Sequence, residues 1–215
     1  MEMIHLEAPG ELTMSVGDAM FSQRAIRRFK RDQTISDAHI KIILDAASKA
    51  PNGGNMQPAR YLVVRDRESI KTFGALYHEA WWAKRWDDYG WTSKEQIPSG
   101  SVYEMPAQLA DEMRNAPLII LAFTIVQGGG MSVIPGLQNM MLAARSLGIG
   151  SVYTTLHAKV MDRVYDMFDV PGDMEFHACV PFGYPRGNFG PTRRYPSAHT
   201  TYWDKWDNSP PWAQE

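Results

Sequence analysis

A single cysteine, Cys179, stands among the 215 residues, so no disulfide can form within the chain. No long apolar run is present either. The longest, over 117–126, is about half of the ~18 residues a membrane-crossing helix needs. The first residues carry Glu2, His5, Glu7 and Glu11 and lack the basic-then-apolar order of a secretory signal, so a cytoplasmic protein with no membrane partner is expected. The six histidines show no His-x-x-x-His spacing, and no Cys-x-x-Cys accompanies them. His177 and Cys179 share one face of an expected strand, but two ligands do not make a metal site, and none is expected. Gly128-Gly129-Gly130 lacks the Lys-Ser/Thr ending of a P-loop. No Gly-x-Gly-x-x-Gly opens a helix after a strand, which excludes a Rossmann dinucleotide site. The formal net charge is only −2, so a nucleic-acid partner is not expected.

What is present reads as one ordinary globular unit over 1–215, or one protomer of an interlocked dimer. The pattern predicts a helix over 13–29 that carries Arg24, Arg27 and Arg28 near its end. Ser36 is an N-cap candidate for a second helix, whose buried face is Ile40, Ile43, Leu44, Ala47 and Ala50. Pro51 stops that helix. A strand is expected at 61–64 and a helix from Glu68. The run 117–126 reads as a buried central strand. Leu137, Met140, Met141, Ala144 and Leu147 mark another helix, and Val160, Val164, Met167 and Phe168 a further one. Strands are expected over 151–154 and 175–183, the second with Pro181 signalling an edge or a bulge.

Two segments stand out chemically. Lys49 to Pro58 reads Lys-Ala-Pro-Asn-Gly-Gly-Asn-Met-Gln-Pro. Gly53 and Gly54 can take φ > 0 and admit a ligand close to the backbone. Asn55 and Gln57 each bring a donor and an acceptor. The loop suits something flat and polar. Upstream, Arg24 to Arg31 places five basic residues within eight, in a chain that is not basic as a whole. Arginine grips phosphate with two parallel hydrogen bonds, so a local anion such as a cofactor phosphate is the expected ligand. Aromatics crowd 77–105: Trp81, Trp82, Trp86, Tyr89, Trp91 and Tyr103. Such a stretch reads either as partly buried packing under a long excursion or as a mobile lid whose aromatics cover a planar ligand. The segment 196–215 holds Trp203, Trp206 and Trp212 and is expected to be an arm that packs on a second subunit.

Together these segments resemble the nitroreductase-like flavoprotein family. Gln23-Arg24-Ala25-Ile26-Arg27-Arg28-Phe29 is similar to its N-terminal phosphate motif. Ala50 to Pro58 is similar to its Ala-Pro-Ser-Gly-Gly-Asn-x-Gln-Pro loop. Gln138 to Gly150, Tyr153-Thr154-Thr155-Leu156-His157 and Gly183 to Pro196 complete the order. The resemblance implies an α+β fold in three α/β/α layers, with a central, mostly antiparallel sheet flanked by helices, in an interlocked homodimer. It implies FMN as cofactor, and NADH or NADPH and a small-molecule electron acceptor as partners. The implied reaction is ping-pong hydride transfer through flavin N5 to a nitroaromatic, a quinone or another conjugated electrophile.

Residue by residue, the resemblance implies that Arg24 and Arg194 meet the phosphate and that Arg27 reaches the N1–O2 region. Arg28 and Arg193 are further cations. Pro51, Asn52, Gly53, Asn55 and Gln57 meet the ribityl chain and ring. Tyr153, Thr154 and Thr155 lie near the N5 edge, with Thr154 and Thr155 the catalytic candidates. Ala25 replaces a common serine and Gln23 a common arginine, which removes one hydroxyl and one cation. His157 reads as a structural histidine. Alternatives within the same fold are a reductive dehalogenase or a flavin-dependent dehydrogenase; outside enzymes, the alternative is an FMN-binding or storage protein.

Overall fold

A computed structural model describes residues 3–213. Four strands, β1 (Ala59–Val64), β2 (Leu118–Thr124), β3 (Gly150–Ser151) and β4 (Glu175–Gly183), form one sheet in the order β1-β2-β4-β3. All three pairings are antiparallel. Side chains of β2 alternate between two cores, as a strand buried on both faces must. Leu118, Ile120 and Ala122 pack with Ile43 and Ala47 of α2 (Asp37–Ser48) and with Leu137 and Met140 of α5 (Gly130–Ser146). Ile119, Leu121 and Phe123 pack on the other face, with Phe73 and Tyr77 of α3 (Arg67–Tyr89), Leu109 of α4 (Glu104–Glu112) and Val164 of α6 (Met161–Met167). Helices on both faces of a mostly antiparallel sheet are the three layers the sequence led us to expect. Among the described residues no helix is long and apolar enough to cross a membrane.

Ser36 caps α2 as expected, its hydroxyl accepting from the His39 N–H at 3.2 Å. Such a cap stabilises by about 1 kcal/mol.

The expected helix over 13–29 is much shorter. The helix α1 covers only Val16–Ser22, and Gln23 is already extended. The chain beyond it is a strap laid along the sheet edge. Ala25 bridges to Ser151 in parallel, and the Ile26 N–H reaches the Ser151 carbonyl at 2.9 Å. Phe29 bridges to Pro185, and the Lys30 N–H reaches the Tyr184 carbonyl at 2.8 Å. Ile26 and Phe29 stand three apart, which imitates a helical face. Both are buried, and an extended strap also gives its backbone groups partners on the sheet.

Two glycines make that docking possible. A Cβ on Gly150 would lie 2.7 Å from Ile26 Cβ, and one on Gly183 would lie 2.8 Å from Phe29 Cβ. Pro181 does not mark an edge, since β4 is flanked on both sides. The Cys179 N–H bonds the Thr154 carbonyl at 2.9 Å. Backbone direction alternates, so the Pro181 nitrogen faces that same side, in the gap between Thr154 and β3 where no ladder bond is made. The irregularity falls instead between Ala122 and Phe123, which pair with Ala178 and Phe176 and leave His177 as the bulged residue. Of the strand expected at 151–154, only Gly150–Ser151 is a ladder, and Thr154 is an isolated bridge to Cys179. The aromatic region is not one long excursion either. Residues 77–89 complete α3, which Gly90 ends in a left-handed conformation.

Gly150→Ala is expected to destabilise the chain by about 1–3 kcal/mol through overpacking against Ile26. Gly187→Ala, with nothing within 4 Å of the added carbon, is the control. Urea unfolding of the two variants checks this; equal midpoints would show that the strap does not need the close approach.

Candidate functional site

The strap buries Ile26 and Phe29 and leaves its cations toward solvent. Arg24 and Arg28 are exposed, and Arg27 is half-buried. Among the described residues none of the three has an acidic partner within salt-bridge distance. Two arginines nearby are paired. Arg31 bonds Glu112 through Nη2 at 3.1 Å, and Arg186 Nη2 lies 3.6 Å from the same carboxylate. Arg186 also ties the strap down, its N–H to the Arg28 carbonyl and its Nε to the Phe29 carbonyl at 2.8 Å. Burial works to raise the Glu112 pKa. The hydrogen bond and charge of Arg31, with the charge of Arg186, outweigh it and hold that carboxyl below its ordinary range. Burial pulls the Arg27 guanidinium below its ordinary value; Tyr77 opposes this and Arg24 adds to it. A half-buried cation beside another cation, with no carboxylate, is a site shaped for an anion.

Tyr77 is the neighbour that sequence reading did not single out. It lies on α3, is 2% exposed, and its hydroxyl meets Thr154 Oγ1 at 2.9 Å. The pair is separated by 77 positions, so no local pattern announces it. Thr154 is held by two backbone bonds to Cys179. Thr154 is half-buried, while Tyr153 and Thr155 on either side are exposed. Arg27, Tyr77 and Thr154 thus share one neighbourhood.

The loop over 51–58 is a second, separate cluster. Of its two glycines only Gly54 takes a positive φ, of 58°; Gly53 does not. The left-handed residues are instead Asn55 (φ 53°) and Gln57 (φ 49°). Non-glycine residues in this region store strain, which the surroundings must hold in place. The holders are visible. Asn52 Oδ1 accepts from the Gln57 N–H at 2.8 Å, and Ser132 Oγ accepts from the Gly53 N–H at 3.2 Å. Asn52 therefore spends its side chain inside the loop. Among the described residues the amides of Asn55 and Gln57 meet only the Met3 thioether, at 3.9 and 3.5 Å, which leaves most of their bonding capacity unspent there.

The two clusters face different corners of the sheet. The loop leads into β1 at one edge, and the strap borders β3 at the other. Three strand spacings of about 4.8 Å put some 14 Å between those edges. The separation along the sheet is larger still. Ser132 holds the loop at the first turn of α5, whereas Arg145 in its last turn bonds Ser22 Oγ, just before the strap. At 1.5 Å per residue those anchors stand about 20 Å apart.

The remaining candidates make no hydrogen bond or ion pair to either cluster among the described residues. Arg193 and Arg194 are exposed on the segment after β4, and Arg194 Nη1 bonds the neighbouring Arg193 carbonyl at 2.8 Å. His157 is structural. Its Nδ1 accepts from the Lys159 N–H at 3.2 Å, so Nε2 carries the proton given to Asp87 at 2.9 Å. A groove of about 500 Å³ opens beside it, between Trp82, Trp86 and Thr92. In the aromatic region Arg85 is buried, bonds Asp88 at 2.8 Å, and lies 5.1 and 4.7 Å from the Trp81 and Tyr103 rings. In the tail Trp203 and Trp212 meet edge to face at 5.4 Å, and Trp206 is 78% exposed.

A model of the family described as Nitroreductase matches residues 21–184. A protein of Methanothermobacter thermautotrophicus, provisionally named NADH dehydrogenase/NAD(P)H nitroreductase, is 28% identical over 205 residues, covering 90% of this chain and 88% of that protein. The NADH dehydrogenase of Thermus thermophilus is 26% identical, covering 90% of this chain and 99% of that one. Among solved structures, a provisionally named nitroreductase of Desulfovibrio desulfuricans in complex with FMN superposes with a TM-score of 0.64 at 24% identity, covering 89% of this chain and 97% of that chain.

The Glu112 cluster that ties down the strap has a pH signature. Its carboxyl has a lowered pKa when folded, so its stabilisation is present above the ordinary glutamate value of 4.5 and is lost as pH falls through the lowered one. Glu112→Gln is expected to be less stable than the parent at pH 7 and to converge with it in acid. Thermal unfolding across pH 3–7 checks this; parallel curves would remove Glu112 from the strap's support.

Proposed function

The chain belongs to the Nitroreductase family, and on that premise we propose that it is an FMN-dependent oxidoreductase that reduces small conjugated electrophiles with NADH or NADPH. One observation carries the reading furthest. Arg24, Arg27 and Arg28 line a strap with no carboxylate to neutralise them among the described residues, whereas Arg31, Arg85, Arg163 and Arg186 each have one. A phosphate-bearing cofactor answers that imbalance, and relatives of the same fold include one in complex with FMN.

The donor set fits FMN. We assign Arg24 and Arg28 to its phosphate, with Arg193 and Arg194 as further cations, and the Ala25 backbone beside them. Arg27 is assigned to the electron-rich edge of the ring, where positive charge favours the reduced, anionic cofactor. Asn55 and Gln57 supply amides from a pre-strained loop that Pro51, Asn52 and Gly53 hold in shape. Thr154 and Thr155, next to Tyr153, supply hydroxyls at the redox edge. When bound, FMN supplies the hydride chemistry between nicotinamide and a nitroaromatic, quinone or similar acceptor. The protein's part is to bind, orient and polarise.

The corner-to-corner separation of strap and loop favours a homodimer in which the loop of one copy faces the strap of the other. Two further features favour pairing. The exposed Phe21 and Met20 of α1 and Met131 of α5 leave apolar surface open on one copy, and so does the tail with Trp206. We assign 196–215 to an arm on the second copy and the aromatic box around Arg85 to a cover for the ring face.

Arg27→Ala is expected to lower FMN affinity about 10–100-fold, the loss of a hydrogen bond to a charged group at roughly 1.5–3 kcal/mol. Arg24→Ala should do the same, while Arg163→Ala, remote on α6, should not. Titration by flavin fluorescence measures it, and anaerobic NADH or NADPH should bleach the bound flavin. Unaltered affinity in both strap variants would refute the assignment of the strap to FMN.

A further inference from the structure

Tyr77 is 2% exposed, and its hydroxyl meets one partner among the described residues, Thr154 Oγ1 at 2.9 Å. Two hydroxyls that share one hydrogen bond leave one proton over, and burial decides which. If Thr154 were the donor, the buried phenol proton would be left with nothing better than the weakly accepting Cys179 sulfur near it among the described residues. Buried polar hydrogens are rarely left so. The alternative satisfies both groups: the phenol donates, and Thr154 accepts. Burial, and after it Cys179, hold the phenol far above its ordinary pKa, so the donated proton is always present.

Thr154 is then left with its own proton. No acceptor for it appears among the described residues, and the side chain is half-exposed. Its backbone cannot swing, because its N–H and C=O are both bonded to Cys179 on β4, at 3.1 and 2.9 Å. Arg27 lies near enough to the phenol for their charges to interact, and it too lacks an anionic partner. The outward hydroxyl and the guanidinium therefore border the same neighbourhood around Tyr77.

We propose that Tyr77 is a positioning residue of the redox site: by donating to Thr154 Oγ1 it commits the Thr154 proton outward, as a fixed donor to the redox edge of the bound flavin ring. This rests on the flavin reading above and deepens it. Tyr77 touches no cofactor. It turns a free hydroxyl rotor into an aimed donor, and a hydroxyl that already accepts from a phenol is itself a stronger donor. The tyrosine thereby tunes the flavin from within the core.

Tyr77→Phe keeps the ring that fills the core and removes only the donor. In the FMN-loaded full-length chain it is expected to keep FMN affinity within about threefold of the parent. Its flavin midpoint potential and visible bands should move in the direction that Thr154→Val moves them. The double variant should match Thr154→Val alone, and Thr154→Ser, which retains a hydroxyl, should stay with the parent. A Tyr77→Phe variant with the parent's potential and spectrum overturns the proposal, as does a Thr154→Val variant that shifts neither. A parent that takes up no FMN overturns the flavin reading itself, and this inference with it. Should Tyr77→Phe fail to fold, the flavin-free Thr154→Val chain decides. Loss of the acceptor should shift tyrosine near-UV absorbance, and an unshifted spectrum means that the hydrogen bond is not there.

Discussion

The site rests on one steric allowance: two glycines at the end of the sheet let a side-chain-bearing strap lie against it. Gly150 and Gly183 give up their own packing so that Ile26 and Phe29 can settle at distances no Cβ would tolerate. Once those two are buried, the arginines between and before them have nowhere to point but outward. The backbone bonds to Ser151 and Tyr184 and the Arg186 clamp then hold the strap in register. The cationic surface is therefore a product of core packing. It does not depend on the arginines finding partners, and the absence of partners leaves them available.

Much of this was legible in the residues, and the parts that were not share a cause. Ser36, the apolar stripe of α2, the buried run of β2 and the stop at Pro51 are local signals, and each stands where the pattern put it. The strap was misread because Ile26 and Phe29 carry a helical spacing, while what extends the chain, the space over two distant glycines, is tertiary. Pro181 was misread for the converse reason. A proline in a central strand is allowed where its missing N–H faces a gap, and that gap exists only because β3 is two residues long. The loop was recognisable from glycines and amides, yet the left-handed positions are Asn55 and Gln57, chosen by the Asn52 and Ser132 contacts. Tyr77 gave no signal at all, since its meaning comes from a threonine far along the chain. In the aromatic stretch, composition outweighed periodicity: Tyr77, Trp81 and Arg85 are one face of α3, not a loose loop.

Pairing divides the charges of the chain into two sets. Glu112 holds Arg31 and Arg186, and Glu79 holds Arg163; those pairs tie α4 to the strap and α3 to α6. Exposed pairs of this sort contribute little individually. The strap cations are excluded from that network, so their charge is undiminished at the surface and acts on whatever approaches.

The placement of strap and loop at opposite corners has a thermodynamic consequence. In the proposed pair, neither copy holds a complete set of contacts, so cofactor occupancy and association of the chains become coupled equilibria. Each bound cofactor would draw two chains together by mass action, and each association would raise the affinity for the cofactor by the same factor. Dilution would then empty the site without unfolding either chain.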